Sequence, residues 1–161
     1  GEWLVVAATD ARDSPSFVVT SVLLLPVAGG PRRRIAVVDD SVDITDGICD
    51  YFRGCDFDAQ PFSSFEQLSE ALKTQVFDAF IIDWLVGSAS ATRLIAEIRG
   101  IDPQCPIAVL TGEVREGQAD QNEVAAAVTR YKTFFYEKPA PAAIIAATLK
   151  QALALQPPKN P

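Results

Sequence analysis

From residue 35 onward, short apolar runs alternate with stretches in which apolar residues recur every three or four positions. Ile35-Ala36-Val37-Val38, Ala79-Phe80-Ile81-Ile82 and Ile107-Ala108-Val109-Leu110 are unbroken apolar runs, the pattern of strands buried on both faces of a parallel sheet. Phe57 to Phe62 and Phe134-Phe135-Tyr136 complete five strands, and Pro61, lacking an N–H for the ladder, puts the former at a sheet edge. Between them Ile44, Ile48, Cys49 and Phe52, closed by Gly54, predict a first helix. Ser63 and Ser64, with Glu66 and Gln67 three residues on, predict a capped second helix burying Leu68 and Leu72. Leu94, Ile95 and Ile98 mark a third. Gln121 to Arg130 reads as a fourth, alanine-rich and therefore weakly docked. Ile144, Ile145, Leu149 and Leu153, with Pro141 near the first turn, give a fifth with those residues inward. The alternation predicts an α/β fold, a doubly wound parallel sheet with strand order 2-1-3-4-5.

Ahead of this pattern lie two strand-like segments, Trp3 to Ala8 and Phe17 to Leu25, separated by the turn-rich Thr9 to Pro15. They read as a β-hairpin extension over residues 1–28, followed by a Gly/Pro-rich linker over 29–34, the main domain over 35–155 and a tail over 156–161. A hairpin alone in water is marginal, so it must pack on something, within the chain or across a homodimer.

Composition narrows the function. The 161-residue chain has a formal net charge of −7, which argues against nucleic-acid binding, since phosphate backbones are met by Lys and Arg. Arg32-Arg33-Arg34 is read as solvated linker. Cys49, Cys55 and Cys105 have no metal-ligand spacing and read as reduced thiols of a cytoplasmic protein. The chain has no histidine, which removes Ser-His-Asp and Cys-His chemistry and means that any phosphohistidine must come from outside. It also has no methionine, so Gly1 is read as a cleavage scar or the cut end of a longer chain. The apolar run from Phe17 to Ala28 is too short to span a bilayer, and membrane contact is not expected.

The remaining polar residues are placed by the strands. Asp39-Asp40 follow the first strand, Asp83 ends the third, Thr111 the fourth and Lys138 the fifth, so all five converge on one rim of the sheet. Taken singly, an Asp after a strand is more often a helix cap, and Lys138 or Thr111 an ordinary surface residue. Taken together, three carboxylates repel unless a counter-ion joins them. Mg2+ takes oxygen ligands, keeps several waters and commonly sits between carboxylates and a phosphoryl group. Such a site suits phosphoryl transfer to a carboxylate: Asp83 is the natural nucleophile, Asp39 and Asp40 the metal holders, Lys138 a second positive charge and Thr111 a hydroxyl donor.

Val37-Val38-Asp39-Asp40-Ser41, Ile82-Asp83-Trp84, Leu110-Thr111-Gly112 and Glu137-Lys138-Pro139 resemble the receiver domains of bacterial two-component signalling, over Arg33 to Leu155. The resemblance implies the flavodoxin-like (βα)5 arrangement and a phosphoacceptor rather than a dedicated enzyme. It implies that Asp83 is phosphorylated from the phosphohistidine of a histidine kinase or histidine phosphotransfer domain. It also implies that the carbonyl of Leu85 completes the Mg2+ shell, that Lys138-Pro139 is a cis peptide, that Gly112 admits the phosphoryl group, and that Phe135 is the switch aromatic coupled to Thr111. The chain departs from the family after Asp83, where Met-Pro and Asp-Gly are usual and Leu85-Val86-Gly87-Ser88-Ala89-Ser90-Ala91 stands here. That loop is expected to be built differently. The stretch from Thr111 to Lys138 is also longer, with a charged segment Glu113 to Glu123; Leu85 and Glu113 lie where the family tunes phosphoryl lifetime.

The N-terminal strands, ending in Leu23-Leu24-Leu25-Pro26, resemble the closing hairpin of a histidine-kinase ATP-binding domain. With the linker and receiver they would make the order of a hybrid sensor histidine kinase. Two other functions compete with the phosphoacceptor. One is a pseudo-receiver that binds a partner without phosphorylation, which a missing acid or lysine would favour. The other is an aspartyl-phosphate hydrolase of the haloacid-dehalogenase type, which expects an Asp-x-Asp pair where this chain has adjacent acids.

Overall fold

The computed structural model describes residues 3–7, 22–26, 32–112, 121–157 and 159. The chain divides between Pro31 and Arg32 into two units. In the first, β1 (Trp3–Ala7) and β2 (Val22–Pro26) pair antiparallel, with Trp3 opposite Pro26 and Ala7 opposite Val22. The expected turn at Thr9 to Pro15, the remainder of the second strand from Phe17, and the Gly29-Gly30-Pro31 part of the linker lie outside the described residues.

The second unit is the α/β domain. Its strands are β3 (Arg33–Val38), β4 (Phe57–Phe62), β5 (Ala79–Asp83), β8 (Ile107–Thr111) and β9 (Phe134–Glu137). They form one parallel sheet in the order β4-β3-β5-β8-β9, the 2-1-3-4-5 order expected, with Pro61 on an edge strand. Two two-residue strands, β6 (Leu85–Val86) and β7 (Ala89–Ser90), make a small antiparallel hairpin between β5 and the next helix. On one face of the sheet, α1 (Val42–Arg53) and α5 (Ala142–Ala154) bury Cys49, Phe52, Ile145 and Leu149 against Val37 and Ile81. On the other, α2 (Phe65–Ala71), α3 (Thr92–Ile101) and α4 (Gln121–Tyr131) bury Leu68, Leu94, Ile98 and Val124 against Val38, Ile82 and Val109. Each such aliphatic side chain stabilises the fold by about 1.5–3 kcal/mol through the water it leaves.

The capping of α2 follows the sequence: Gln67 N–H donates to Ser64 Oγ at 3.2 Å, and Ser63 N–H donates back to Gln67 Oε1 at 3.1 Å. Three expectations need correction. Ile144, expected to face inward, is 53% exposed; Ile44, part of the apolar repeat that predicts the first helix, is exposed too. The stripes turned to the sheet are Thr45, Ile48, Cys49 and Phe52 in α1, and Ile145, Ala146, Leu149 and Leu153 in α5. Arg33 and Arg34 are not solvated linker but the first residues of β3. The cause is Asp78, 1% exposed, whose carboxylate accepts from Arg34 N–H at 2.8 Å and pairs with the Arg33 guanidinium at 3.1 Å. The tail likewise docks: Pro157 and Leu153 carbonyls accept from Arg33, and Lys159 Nζ reaches Asp102 at 2.6 Å and the Phe77 carbonyl at 3.0 Å.

Among the described residues, no helix is long and apolar enough to cross a membrane.

Candidate functional site

The parallel sheet delivers its strand ends to one rim. Asp39 continues β3, its N–H donating to the Phe62 carbonyl of the neighbouring strand at 3.2 Å. Its side chain is 2% exposed and fully engaged: Ser41 N–H donates to Oδ1 at 2.9 Å, closing the turn into α1, and Lys138 Nζ lies 2.5 Å from Oδ2. Asp39 therefore does serve the turn, as an Asp after a strand often does, while α1 itself starts at Ser41 with no side-chain cap bond. Asp40, one residue on, is exposed at the mouth of the site.

Asp83 closes β5 with 7% exposure, and Trp84 N–H continues the ladder to the Leu110 carbonyl at 2.7 Å. Lys138 Nζ lies 2.9 Å from Asp83 Oδ2, so one ammonium bridges Asp39 and Asp83. Burial pushes the Asp83 carboxyl above its ordinary value; the hydrogen bond and charge of Lys138 pull the other way and do not cancel it, and the Asp39 charge adds to the rise. Burial works against the Lys138 ammonium, but the hydrogen bonds and charges of Asp39 and Asp83 outweigh it and raise its value. Lys138 is held in turn by its backbone, whose N–H donates to the Thr111 carbonyl at 2.7 Å, and the Lys138-Pro139 peptide is cis.

Asp39, Asp40 and Asp83 each offer an oxygen within 4.8 Å of the others. Three hard oxygen donors with one balancing ammonium, two of them buried and one open to solvent, form a donor set that suits Mg2+ or another small divalent cation. Four of the five expected side chains, those of Asp39, Asp40, Asp83 and Lys138, are thus brought together. Thr111 is 3% exposed, and its hydroxyl donates to the Gly112 carbonyl at 2.9 Å. A Cβ built on Gly112 would meet no atom of the described residues within 4 Å. Phe135, by contrast, is 39% exposed on β9, opposite Val109. Leu85 is half-buried, and its N–H donates to Asp83. Glu113 lies outside the described residues, as does most of the charged segment after it.

The loop after Asp83 is where sequence reasoning missed participants. Val86 and Ala89 pair across Gly87-Ser88, and Gly87 alone of these has a positive φ, +62°, as a type II′ hairpin turn requires. Gly87 N–H points to the acid site and donates to Asp40 Oδ2 at 3.0 Å. At the other end of the hairpin, Ser90 Oγ and Thr92 Oγ1 lie 3.4 Å and 3.3 Å from Glu123 Oε1 on α4. A two-residue Gly-Ser turn between apolar residues is a hairpin signal, but strands of two residues are too short to announce themselves by alternation.

Residues 35–149 match the response regulator receiver domain family. The chain belongs to that family. No curated protein sequence matches it. Among solved structures, a response regulator receiver protein from Sinorhizobium medicae is 21% identical with a TM-score of 0.67, covering 77% of this chain and 96% of its own. A CheY-like receiver domain protein from Methanospirillum hungatei gives 16% and 0.68, covering 77% and 95%. A receiver domain protein from Clostridium thermocellum gives 21% and 0.66, covering 76% and 94%. At these identities the likeness is one of fold. This receiver domain of the two-component type carries an acidic pocket of Asp39, Asp40 and Asp83. Receiver domains as a class bind Mg2+ at such pockets and interact with histidine kinases or phosphotransfer proteins.

Proposed function

We infer that this receiver domain is an active phosphoacceptor in two-component phosphorelay signalling, with Asp83 taking the phosphoryl group from a phosphohistidine. The observation that carries this reading is the Lys138 ammonium held between Asp39 and Asp83, at 2.5 Å and 2.9 Å, beside a third carboxylate. Asp39, Asp40 and Asp83, with the Leu85 carbonyl, are the groups that would hold Mg2+. When bound, the cation would neutralise charge on the carboxylates and on the phosphoryl oxygens. Asp83 Oδ is the attacking atom, and its short reach from the strand end fixes its direction of approach. Lys138 can turn its ammonium from Asp83 to a phosphoryl oxygen without leaving Asp39. The Thr111 hydroxyl, now spent on the Gly112 carbonyl, is free to rotate toward a second oxygen, with Gly112 leaving the path clear. Phe135, exposed and two strand positions from Thr111's partner Glu137, would follow that movement as the switch aromatic.

The pseudo-receiver alternative loses its usual support, since the acids, the threonine and the lysine are all in place. The phosphoryl donor is a histidine kinase or histidine phosphotransfer domain, and none of the 161 residues is a histidine that could take that part. We propose that the paired strands β1 and β2 are the closing hairpin of a kinase ATP-binding domain, which makes a bacterial, cytoplasmic hybrid kinase the proposed parent. The test is intact mass after incubation with acetyl phosphate and Mg2+. A gain of one phosphoryl group, absent from Asp83→Asn and from metal-free samples, is the expected result. No adduct under any condition would leave the pseudo-receiver.

A further inference from the structure

The hairpin of β6 and β7 touches two places that are otherwise separate. On one side Gly87 N–H donates to Asp40 Oδ2 at 3.0 Å, and Leu85 N–H donates to Asp83. On the other, Ser90 and Thr92 hydroxyls share Glu123 Oε1 at the start of α4. The Ser90 and Thr92 hydroxyl oxygens also lie 3.3 Å apart, and with one proton on each, two of these three contacts are hydrogen bonds at a time. The hairpin is short, pinned at its turn by Gly87 and at its base by Ala91 N–H donating to the Trp84 carbonyl at 2.9 Å.

Asp40 is the one exposed acid of the three, and among the described residues the Gly87 amide is the one hydrogen-bond donor it is given. A carboxylate free to rotate in water loses orientation entropy when it binds a cation; one already aimed by a backbone amide loses less, and its second oxygen remains available. Outer-shell hydrogen bonds of this kind typically carry a factor of about 10–100 in metal affinity. The amide exists at this point because residue 87 has the left-handed φ that glycine tolerates.

We propose that the β6–β7 hairpin is a coupling strap: Gly87 positions Asp40 for the divalent cation, and Ser90 with Thr92 passes the strap's position to Glu123 on α4. This rests on the reading of the acidic pocket as a cation site and adds a route from that site to α4 independent of Thr111 and Phe135. Coupling is reciprocal, so cutting the α4 end must alter cation affinity as well as the reverse.

Amide NMR of the full chain during a Mg2+ titration tests it, with three proteins compared. In the unmodified chain, the amides of Gly87 and of residues 123–124 should shift along the same saturation curve as Leu85. Gly87→Pro, which has no amide hydrogen, should weaken Mg2+ about tenfold. Because the proline ring cannot adopt the positive φ of residue 87 and also rebuilds the turn, Ser90→Ala/Thr92→Val provides the second arm: the hairpin and the Leu85 shift persist, the shift at residues 123–124 disappears, and affinity changes measurably. If Mg2+ moves Leu85 but leaves Gly87 and α4 unmoved, or if both variants bind as the unmodified chain does, the strap is overturned while the cation site stands. If Mg2+ moves no amide near Asp39, Asp40 and Asp83, the cation-site reading falls and the strap with it.

Discussion

Asp78 shows what one buried charge does in this fold. Its carboxylate lies at the end of the sheet opposite the acidic pocket, 1% exposed, and accepts from the backbone N–H of Arg34 at 2.8 Å and of Lys159 at 3.1 Å besides pairing with Arg33. Asp78→Ala removes the acceptor for three donors at once, and should cost roughly 3 kcal/mol in urea unfolding. A loss under about 1 kcal/mol would mean that water replaces the carboxylate there. The thiols give a second residue-level prediction. Burial pushes Cys49 and Cys105 up to about 11, whereas Cys55 is only half-buried. At pH 8 a group titrating there is thiolate in only about one molecule in a thousand, and the thiolate is the reactive form. Mass-resolved alkylation should therefore label Cys55 first, and equal rates at all three would contradict the burial. Residue positions were legible where topology fixes them: Asp39, Asp83, Thr111 and Lys138 follow from strand ends sharing a rim. Arg33 and Arg34 were not, because nothing near them in sequence reveals Asp78, forty-four or more positions away.

The elements that could be read are those with a complete local signal. The second helix has its apolar pair, its Ser64 cap and the reciprocal Gln67 bond, and forms where expected. Ser64→Ala should destabilise the domain by about 1 kcal/mol, measured as a lower urea midpoint at unchanged slope. An unchanged midpoint would show that Ser63 or water takes over the cap. The outer helices were harder. In α1 and α5 the apolar residues outnumber the places on the buried stripe, so periodicity alone does not reveal that Ile44 and Ile144 stay exposed while the sheet takes Thr45 and Ala146. Small residues facing a sheet are recognised only when the partner surface is known, since close approach selects them and not hydrophobicity. The β6–β7 hairpin was unreadable for a different reason: it is held by the pairing of four residues and by one bond to Asp40, both set by the tertiary fold.

At the scale of the whole molecule the acidic pocket is a concession of stability to function, and its sign can be worked out. In the folded chain burial holds the Asp83 carboxyl above its ordinary value, and the bond to Lys138 recovers only part of the loss. The folded state thus keeps a proton that the unfolded chain has released, over a window running upward from the ordinary aspartate value of about 4. Through that window the unfolded state binds fewer protons, so stability falls as pH rises: the contribution is complete below the window and gone above it. A divalent cation at the proposed site would act in the opposite direction, because it would bind the ionised carboxylates and only in the folded chain. At ten times its dissociation constant it adds about 1.4 kcal/mol. Calorimetry of the native chain and Asp83→Asn, with and without Mg2+, separates the two effects, the variant serving as reference for every other titrating group. Without Mg2+ the native chain should lose stability relative to the variant as pH rises from 4 toward neutrality, and melt below it at pH 7. With Mg2+ the native increment should grow over the same pH range and be much smaller in the variant. A difference between the two proteins that ignores both pH and Mg2+ would mean that Asp83 is neither a strained carboxylate nor part of a cation site. The reversal of sign on adding the cation is what ties the cost of this pocket to its use.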